Sequence, residues 1–323
     1  MRAVVTGAAG FIGSHLCEHL LAAGDEVVGV DCLTDTYDPA VKRRNLRTAL
    51  SSPHFTFRHA DLLRTDAVAL LAGADAVYHL AGQPGVRLSW GEDFALYTDR
   101  NVLATQRLLE AARAHPPAKF VYASSSSVYG EALRRPTPES AYPRPVSPYG
   151  VTKLAGEQLC ELYRTAHGLP TVALRLFTVY GPRQRPDMAF ARLLAAASGG
   201  PAFPLYGDGG QSRDFTYVTD VVSAMRAAAR SSFTGVANLG GADPVSMQQA
   251  VAVVERLVGP VLLTRHPASA GDARHTGADI RRARAAFGFR PSVGLHKGLA
   301  EMAAEHASPD HHHRMAPTGG EPW

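Results

Sequence analysis

Short apolar runs rich in β-branched residues recur at 3–6, 26–31, 56–59, 76–80, 119–124, 171–176 and 236–239. Between them lie longer segments with helical spacing of apolar positions, at 12–22, 65–71, 94–114, 149–166 and 219–229. Alternation of this kind builds a parallel sheet with helices on both faces, an α/β doubly wound fold. The first strands are nearly all apolar, as strands covered on both faces should be. After about Gly181 proline and glycine become frequent, helices shorten and arginines enter the loops. The expected division is a sheet domain over 1–180 and 214–242, a smaller α/β lobe over 181–213 and 243–307, and a tail over 308–323.

Composition narrows the classes. The 323 residues are 46% hydrophobic and 19% charged, which suits a folded chain with a substantial core. The formal net charge of +4 comes from scattered Lys and Arg, with small clusters at Lys42-Arg43-Arg44 and Arg183-Gln184-Arg185. A nucleic-acid binder would show a basic stripe interleaved with aromatics, so no nucleic-acid partner is expected. A small anionic ligand fits local clusters better. Cys17, Cys32 and Cys160 are far apart and form no CxxC, which argues against zinc and against a disulfide framework. No apolar run approaches membrane-spanning length, and the first strand starts at once without a leader, so a cytoplasmic protein with no membrane partner is expected. His311-His312-His313 is read as part of a solvated tail, and no metal is expected.

The chemistry lies at strand ends. Strand one runs into TGAAGFIGSHL, with Gly7, Gly10 and Gly13 spaced as GxxGxxG before an amphipathic helix. The first glycine permits the tight turn, the second a close approach to a pyrophosphate, and the third close packing of helix and strand. Strand two ends in Asp31, a carboxylate suited to a ribose hydroxyl and repelling a 2′-phosphate, which favours NAD over NADP. Asp61-Leu62 follows strand three, and Leu80-Ala81-Gly82 ends strand four with small residues beside which a cofactor can pass. Tyr149 and Lys153 form YxxxK at a helix start, on one face of that helix. An ammonium beside a phenol favours the phenolate, which makes Tyr149 usable as a general base. Upstream, YASSSSVYG puts Ser124 to Ser127 at the end of strand five, where a hydroxyl can share the phenol's proton.

TGAAGFIG, VDCL, HLAGQPGVR, ASSSSVYG, YGVTK, LRLFTVYGPRQRPDMAF and GDGGQSRDFTYV follow in this order over about 1–305. The chain thereby resembles the extended short-chain dehydrogenase/reductases, within their NAD-dependent nucleotide-sugar epimerase/dehydratase group. The resemblance implies a Rossmann-type sheet and a tightly bound NAD that is reduced and reoxidised in each turnover. It also implies a homodimer built from the helices near 94–114 and 149–166. Tyr149, Lys153 and Ser125 would be catalytic. NAD would meet Gly7, Gly10, Phe11, Ile12, Gly13, Asp31, Asp61, Leu62 and Leu80. Ala81, Gly82, Asn101, Ser124, Tyr149, Lys153, Phe177 and Val179 would complete its site. Gly82 stands where the family more often has alanine, with little effect expected.

Two departures bear on the reaction. Where 4,6-dehydratases keep Asp and Glu for water loss, and decarboxylases keep Glu in the second place, this chain has Ser126 and Ser127. Thr178 stands where UDP-glucose 4-epimerases usually carry Asn, and the GPRQRPDMAF that follows is similar to UDP-glucuronate 4-epimerases. Ser126, Ser127 and Thr178 can hold a C6 carboxylate or a neutral hydroxymethyl, with Arg185 in the loop above. Gln211 and Arg213 match the family's diphosphate and ribose stretch, where Arg213 bridges the diphosphate, the lesser alternative being a structural pair with Asp214. Arg87 matches a substrate-side loop or is structural. Asp272 falls near the nucleotide, while Ser269 replaces an arginine many relatives carry. The leading expectation is 4-epimerisation of a UDP-sugar, most of all UDP-glucuronate to UDP-galacturonate. The alternatives are a UDP-glucose, UDP-N-acetylglucosamine or dTDP-sugar 4-epimerase, a UDP-glucuronate decarboxylase, and a non-catalytic NAD-binding scaffold.

Overall fold

The structure is a computed structural model describing residues 1–241, 243–267 and 273–308. Asp272, Ser269 and the 311–313 histidines lie outside the described residues. Seven strands form the central sheet: β1 (Arg2–Thr6), β2 (Glu26–Asp31), β3 (Phe55–His59), β4 (Ala76–His79), β5 (Lys119–Ser125), β6 (Thr171–Leu176) and β7 (Gly235–Leu239). Their order is β7-β6-β5-β4-β1-β2-β3, and every neighbouring pair is parallel. Connections run in opposite directions on the two sides of β1. A crevice therefore opens beyond the carboxyl ends of β1 and β4, as in doubly wound sheets generally.

Strand alternation sorts the core into two layers. Ala3 and Val5 pack with Leu16, Leu20, Val221 and Met225, under α1 (Phe11–Ala22) and α4 (Val218–Arg230). Val4 points the other way, toward Leu108, Leu109 and Cys160 of α2 (Ala104–Ala114) and α3 (Pro148–His167). A third apolar cluster joins Phe190, Leu193, Phe215, Val254 and Leu299, with helices Ala189–Ala197, Met247–Leu257 and Leu295–Ala307 around it. Two short strand pairs adjoin it, Phe203–Tyr206 with Leu263–His266 and Ser212–Asp214 with Pro244–Ser246. Runs this short carry too few residues for periodicity to reveal. No helix among the described residues is long and apolar enough to cross a membrane.

Local chemistry sets the boundaries that matter for the site. α3 begins at Pro148 because Ser147 Oγ accepts the Gly150 amide at 3.1 Å, and proline suits the first helical position. The expected helix over 94–114 is three pieces instead. Phe94–Tyr97 passes into a π-turn, Thr98–Leu103, before α2. That wide turn holds the side chain of Asn101 against the chain leaving β4, bonded to the backbone of Gln83.

The ring of Tyr122, on β5, lies directly beneath α3. A Cβ at Gly156 would come within 2.2 Å of its hydroxyl, so the glycine is what lets helix and sheet approach. Tyr122 is fully buried and has nowhere to move. Gly156→Ala should therefore destabilise the protein by about 1–2 kcal/mol, the overpacking outweighing the ~1 kcal/mol alanine gains in a helix. Urea unfolding measures this, and adding Tyr122→Phe should recover part of the loss.

Candidate active site

The crevice holds a cavity of about 460 Å³, in the usual size range for a small-molecule site. Its floor is the turn from β1 into α1. Gly7 sits at φ +72°, and a Cβ there would lie 2.8 Å from the Ala81 amide. A Cβ at Gly13 would lie 2.0 Å from the Gly7 carbonyl oxygen. Gly10 starts α1 without a side-chain cap, so the helix N-terminus faces the cavity with its dipole uncovered. Gly10, Phe11, Ile12 and Gly13 line this wall. A cradle that no Cβ may enter, closed by an uncapped helix end, fits a dinucleotide pyrophosphate.

Asp31 binds both flanking loops, with Oδ2 accepting from the Ala9 amide at 3.0 Å and Oδ1 from the Leu33 amide at 2.8 Å. Each oxygen has a further lone pair able to accept a hydroxyl, and Asp31 lines the cavity. Asp61, Leu62, Leu80, Ala81 and Gly82 complete this end. Thr34, Lys42 and Arg100 also line it, and Lys42 Nζ donates to Thr34 Oγ1 at 2.7 Å. Lys42 is visible in sequence only as one of three neighbouring cations. Which of the three faces inward is a property of the fold.

Tyr149 and Lys153 stand on the cavity wall with Ser125. Ser125 Oγ receives the Ser127 amide at 3.1 Å and stands close enough to the Tyr149 phenol to favour its ionised form. Burial pushes the phenol above its ordinary value, and the Ser125 hydroxyl and the Arg185 charge oppose that rise. Lys153 Nζ donates to the Ala123 carbonyl at 3.0 Å and lies 5.2 Å from the Tyr122 ring centroid. Burial brings this lysine down to about 8. His79 is nearby but neutral, brought to about 3 by burial and by Lys153. Its ring nitrogens are taken by Thr6 and Thr105 at 2.8 and 2.9 Å.

Behind the serines lies a network that spacing alone did not reveal. Ser124 Oγ donates to Glu157 Oε2 at 2.8 Å. Glu157 is gripped by the Arg175 guanidinium through Nε and Nη2, and both side chains are almost wholly buried. Arg175 stacks on Tyr129 at 4.6 Å, and the Tyr129 hydroxyl donates to Asn238 at 2.8 Å. Ser124 thus reaches the cavity wall with its hydroxyl committed to structure.

Ser126, Ser127 and Thr178 line the main cavity and also an adjoining pocket of about 170 Å³, which Arg213 borders. Arg185 stands on the main cavity wall, and so does Val179. Arg213 Nη1 donates to the carbonyls of Ser212 and Arg274 at 3.0 and 3.1 Å. Asp214 accepts the Ala278 amide at 2.8 Å and the Gly241 amide. Arg87 and Gln211 are on neither wall. The Arg87 guanidinium lies 4.0 Å from the Tyr206 ring centroid, and Gln211 Nε2 donates to the Tyr206 carbonyl at 3.0 Å.

Two expected cofactor contacts, Phe177 and Asn101, are not among the residues on the cavity wall. Phe177 is buried in the core, with Tyr129 6.1 Å from it, centroid to centroid. Asn101 spends its amide on the Gln83 backbone and Thr152 Oγ1. A Cβ at Gly82 would lie 2.7 Å from Asn101 Oδ1, so an alanine here requires the Asn101 amide to shift.

The model of the NAD dependent epimerase/dehydratase family matches residues 3–240. YtcB of Bacillus subtilis (strain 168), described as an uncharacterized UDP-glucose epimerase, is 44% identical over 308 residues, covering 94% of this chain and 97% of its own. A probable UDP-glucuronate 4-epimerase of Rhizobium meliloti (strain 1021) is 35% identical, covering 94% of this chain and 96% of its own. The crystal structure of UDP-glucuronic acid 4-epimerase from Bacillus cereus, in complex with UDP-glucuronic acid and NAD, is similar with a TM-score of 0.90 and 41% identity. That likeness covers 94% of this chain and 98% of the other.

The depressed Lys153 sets a pH signature in the ligand-free protein. Between about 8 and lysine's ordinary 10.5 the unfolded chain holds a proton that the folded chain has released. Stability contributed by this residue therefore rises with pH across that window, and the burial cost is fully present below it. Lys153→Met should abolish this part of the slope, as read by chemical unfolding from pH 7 to pH 10.

Proposed function

The chain belongs to the NAD dependent epimerase/dehydratase family, and we propose that it inverts C4 of a UDP-sugar, interconverting UDP-glucuronate and UDP-galacturonate. The observation that carries the choice of sugar is that Ser126, Ser127, Thr178 and Arg185 line the main cavity together with Tyr149. Three hydroxyls and a guanidinium make a donor set for a C6 carboxylate. The Bacillus cereus structure, which holds UDP-glucuronic acid and NAD, supports the reading.

NAD, held in the glycine cradle, supplies the hydride acceptor and donor for C4. Tyr149 takes the proton of the 4-hydroxyl, with Ser125 sharing it. The Lys153 ammonium favours the phenolate, worth most where water is excluded. Inversion then requires the 4-keto sugar to present its opposite face to the same groups. Arg213 on the adjoining pocket anchors the diphosphate while the ring turns. A 4-keto uronate is a β-keto acid and loses CO2 when its carboxylate overlaps the ketone. Hydroxyls at 126 and 127 fix the carboxylate and supply no acid to promote that loss. The free thiols of Cys17, Cys32 and Cys160 suit a reducing compartment, and a cytoplasmic location goes with this reading.

The test is incubation, without added NAD, with UDP-glucuronate, UDP-glucose and UDP-N-acetylglucosamine in separate reactions, products identified by NMR. UDP-galacturonate from the first is expected. Turnover of neutral sugars alone, or a mainly pentose product, overturns the assignment. Tyr149→Phe should lower kcat about 10²–10⁴-fold with bound NAD retained.

The two-helix face of α2 and α3 is the proposed dimer interface. Val151 and Leu162 on α3 are 48% and 56% exposed, three helical turns apart and so on one stripe. Val151→Glu with Leu162→Glu should give monomers by sedimentation where the parent sediments as a dimer. A monomeric parent would refute the interface.

A further inference from the structure

We infer that Asp187 is the resident counter-ion of Arg185 and competes with the substrate's carboxylate for it, so that Asp187 sets the preference between charged and neutral UDP-sugars. This rests on the UDP-sugar reading above. The Arg185 guanidinium forks both oxygens of Asp187, with Nε at 2.9 Å and Nη2 at 2.8 Å. That fork is the geometry in which an arginine binds a carboxylate of any origin. The two partners differ in surroundings. Arg185 belongs to the cavity wall and is 17% exposed, whereas Asp187 is 55% exposed on the solvent side.

The backbone around Arg185 is held independently of that pair. Arg183, two residues earlier, sits at φ +61°, and its amide donates to Glu305 at 2.9 Å. Its guanidinium pairs with Glu18 on α1, and His15 of α1 meets the Pro182 carbonyl at 2.9 Å. With the loop fixed on α1 and the C-terminal helix, a change of partner by Arg185 is a side-chain event.

The exchange follows from solvent exposure. An ion pair whose carboxylate is largely exposed is weakened because water screens that partner and solvates it once freed. The same fork on a carboxylate inside the cavity is screened less and is stronger. A bound uronate therefore takes the guanidinium and releases Asp187 to water. A neutral sugar leaves the resident pair intact, and no unpaired cation is left beside it.

The experiment is calorimetric titration of UDP-glucuronate, UDP-glucose and UDP into the parent and into Asp187→Asn. The variant should bind UDP-glucuronate about two- to fivefold more tightly, since a competitor of exposed-pair strength is gone. UDP-glucose should bind more weakly by a similar factor, and UDP unchanged. Asp187→Glu should restore the parent's ratio. A variant that shifts both sugars equally, or neither, overturns the inference and leaves the UDP-sugar reading standing. A parent that binds UDP-glucuronate no more tightly than UDP overturns both.

Discussion

Beneath the active cleft a carboxylate and a guanidinium, Glu157 and Arg175, are fused into a fork almost entirely removed from water. Losing one partner of such a pair leaves an unsolvated charge, at a cost of about 3–5 kcal/mol. The pair therefore has little freedom to shift, and it joins α3 to β6. Ser124 hangs from the same carboxylate, which ties the end of β5 to both. Tyr149 and Lys153 ride on α3, and Ser125 follows Ser124. The separation between phenol and serine is inherited from a contact that takes no part in the chemistry.

Above that base, burial works against charge on both members of the Tyr149–Lys153 pair. It raises the phenol and lowers the ammonium, so each is held toward its neutral form in the ligand-free cleft. With Lys153 brought only to about 8, its ammonium persists near neutral pH beside a neutral phenol, and further positive charge alongside favours the phenolate. His79, the nearby imidazole, is kept out of acid–base work by the same burial and by two hydroxyl partners. The cavity is thereby divided into two ends. One end is organised by backbone amides on Asp31, and the other by side-chain hydroxyls and Arg185.

Much of this was legible in one dimension. GxxGxxG at a strand end leaves few options, because a side chain at Gly7 or Gly13 would strike backbone. Asp31 and YxxxK are local in the same sense, each set by its position at a strand end or on one helix face. Ser124 shows the limit of this reasoning. It lies on the cavity wall, yet strand alternation turns its hydroxyl to Glu157, 33 residues away in sequence. Asn101 and Phe177 are not on the cavity wall, for a related reason. A π-turn and the packing of Phe177 beside Tyr129 decide where those side chains go. Neither leaves a mark in hydrophobic spacing.

The sequence by itself determined the alternation of strand and helix, the glycine cradle, the acidic end of β2 and the phenol–lysine pair. Each depends on residues within a few positions of one another, where backbone geometry translates spacing into shape. The order of strands, the inward choice of Lys42 from three cations, the Glu157–Arg175 fork and the pairing of Arg185 with Asp187 across a loop held by α1 and the C-terminal helix were decided only in three dimensions. Those features depend on which distant segments pack together and on which charges that packing removes from water. Desolvation is a property of the assembled fold, and no stretch of sequence carries it alone.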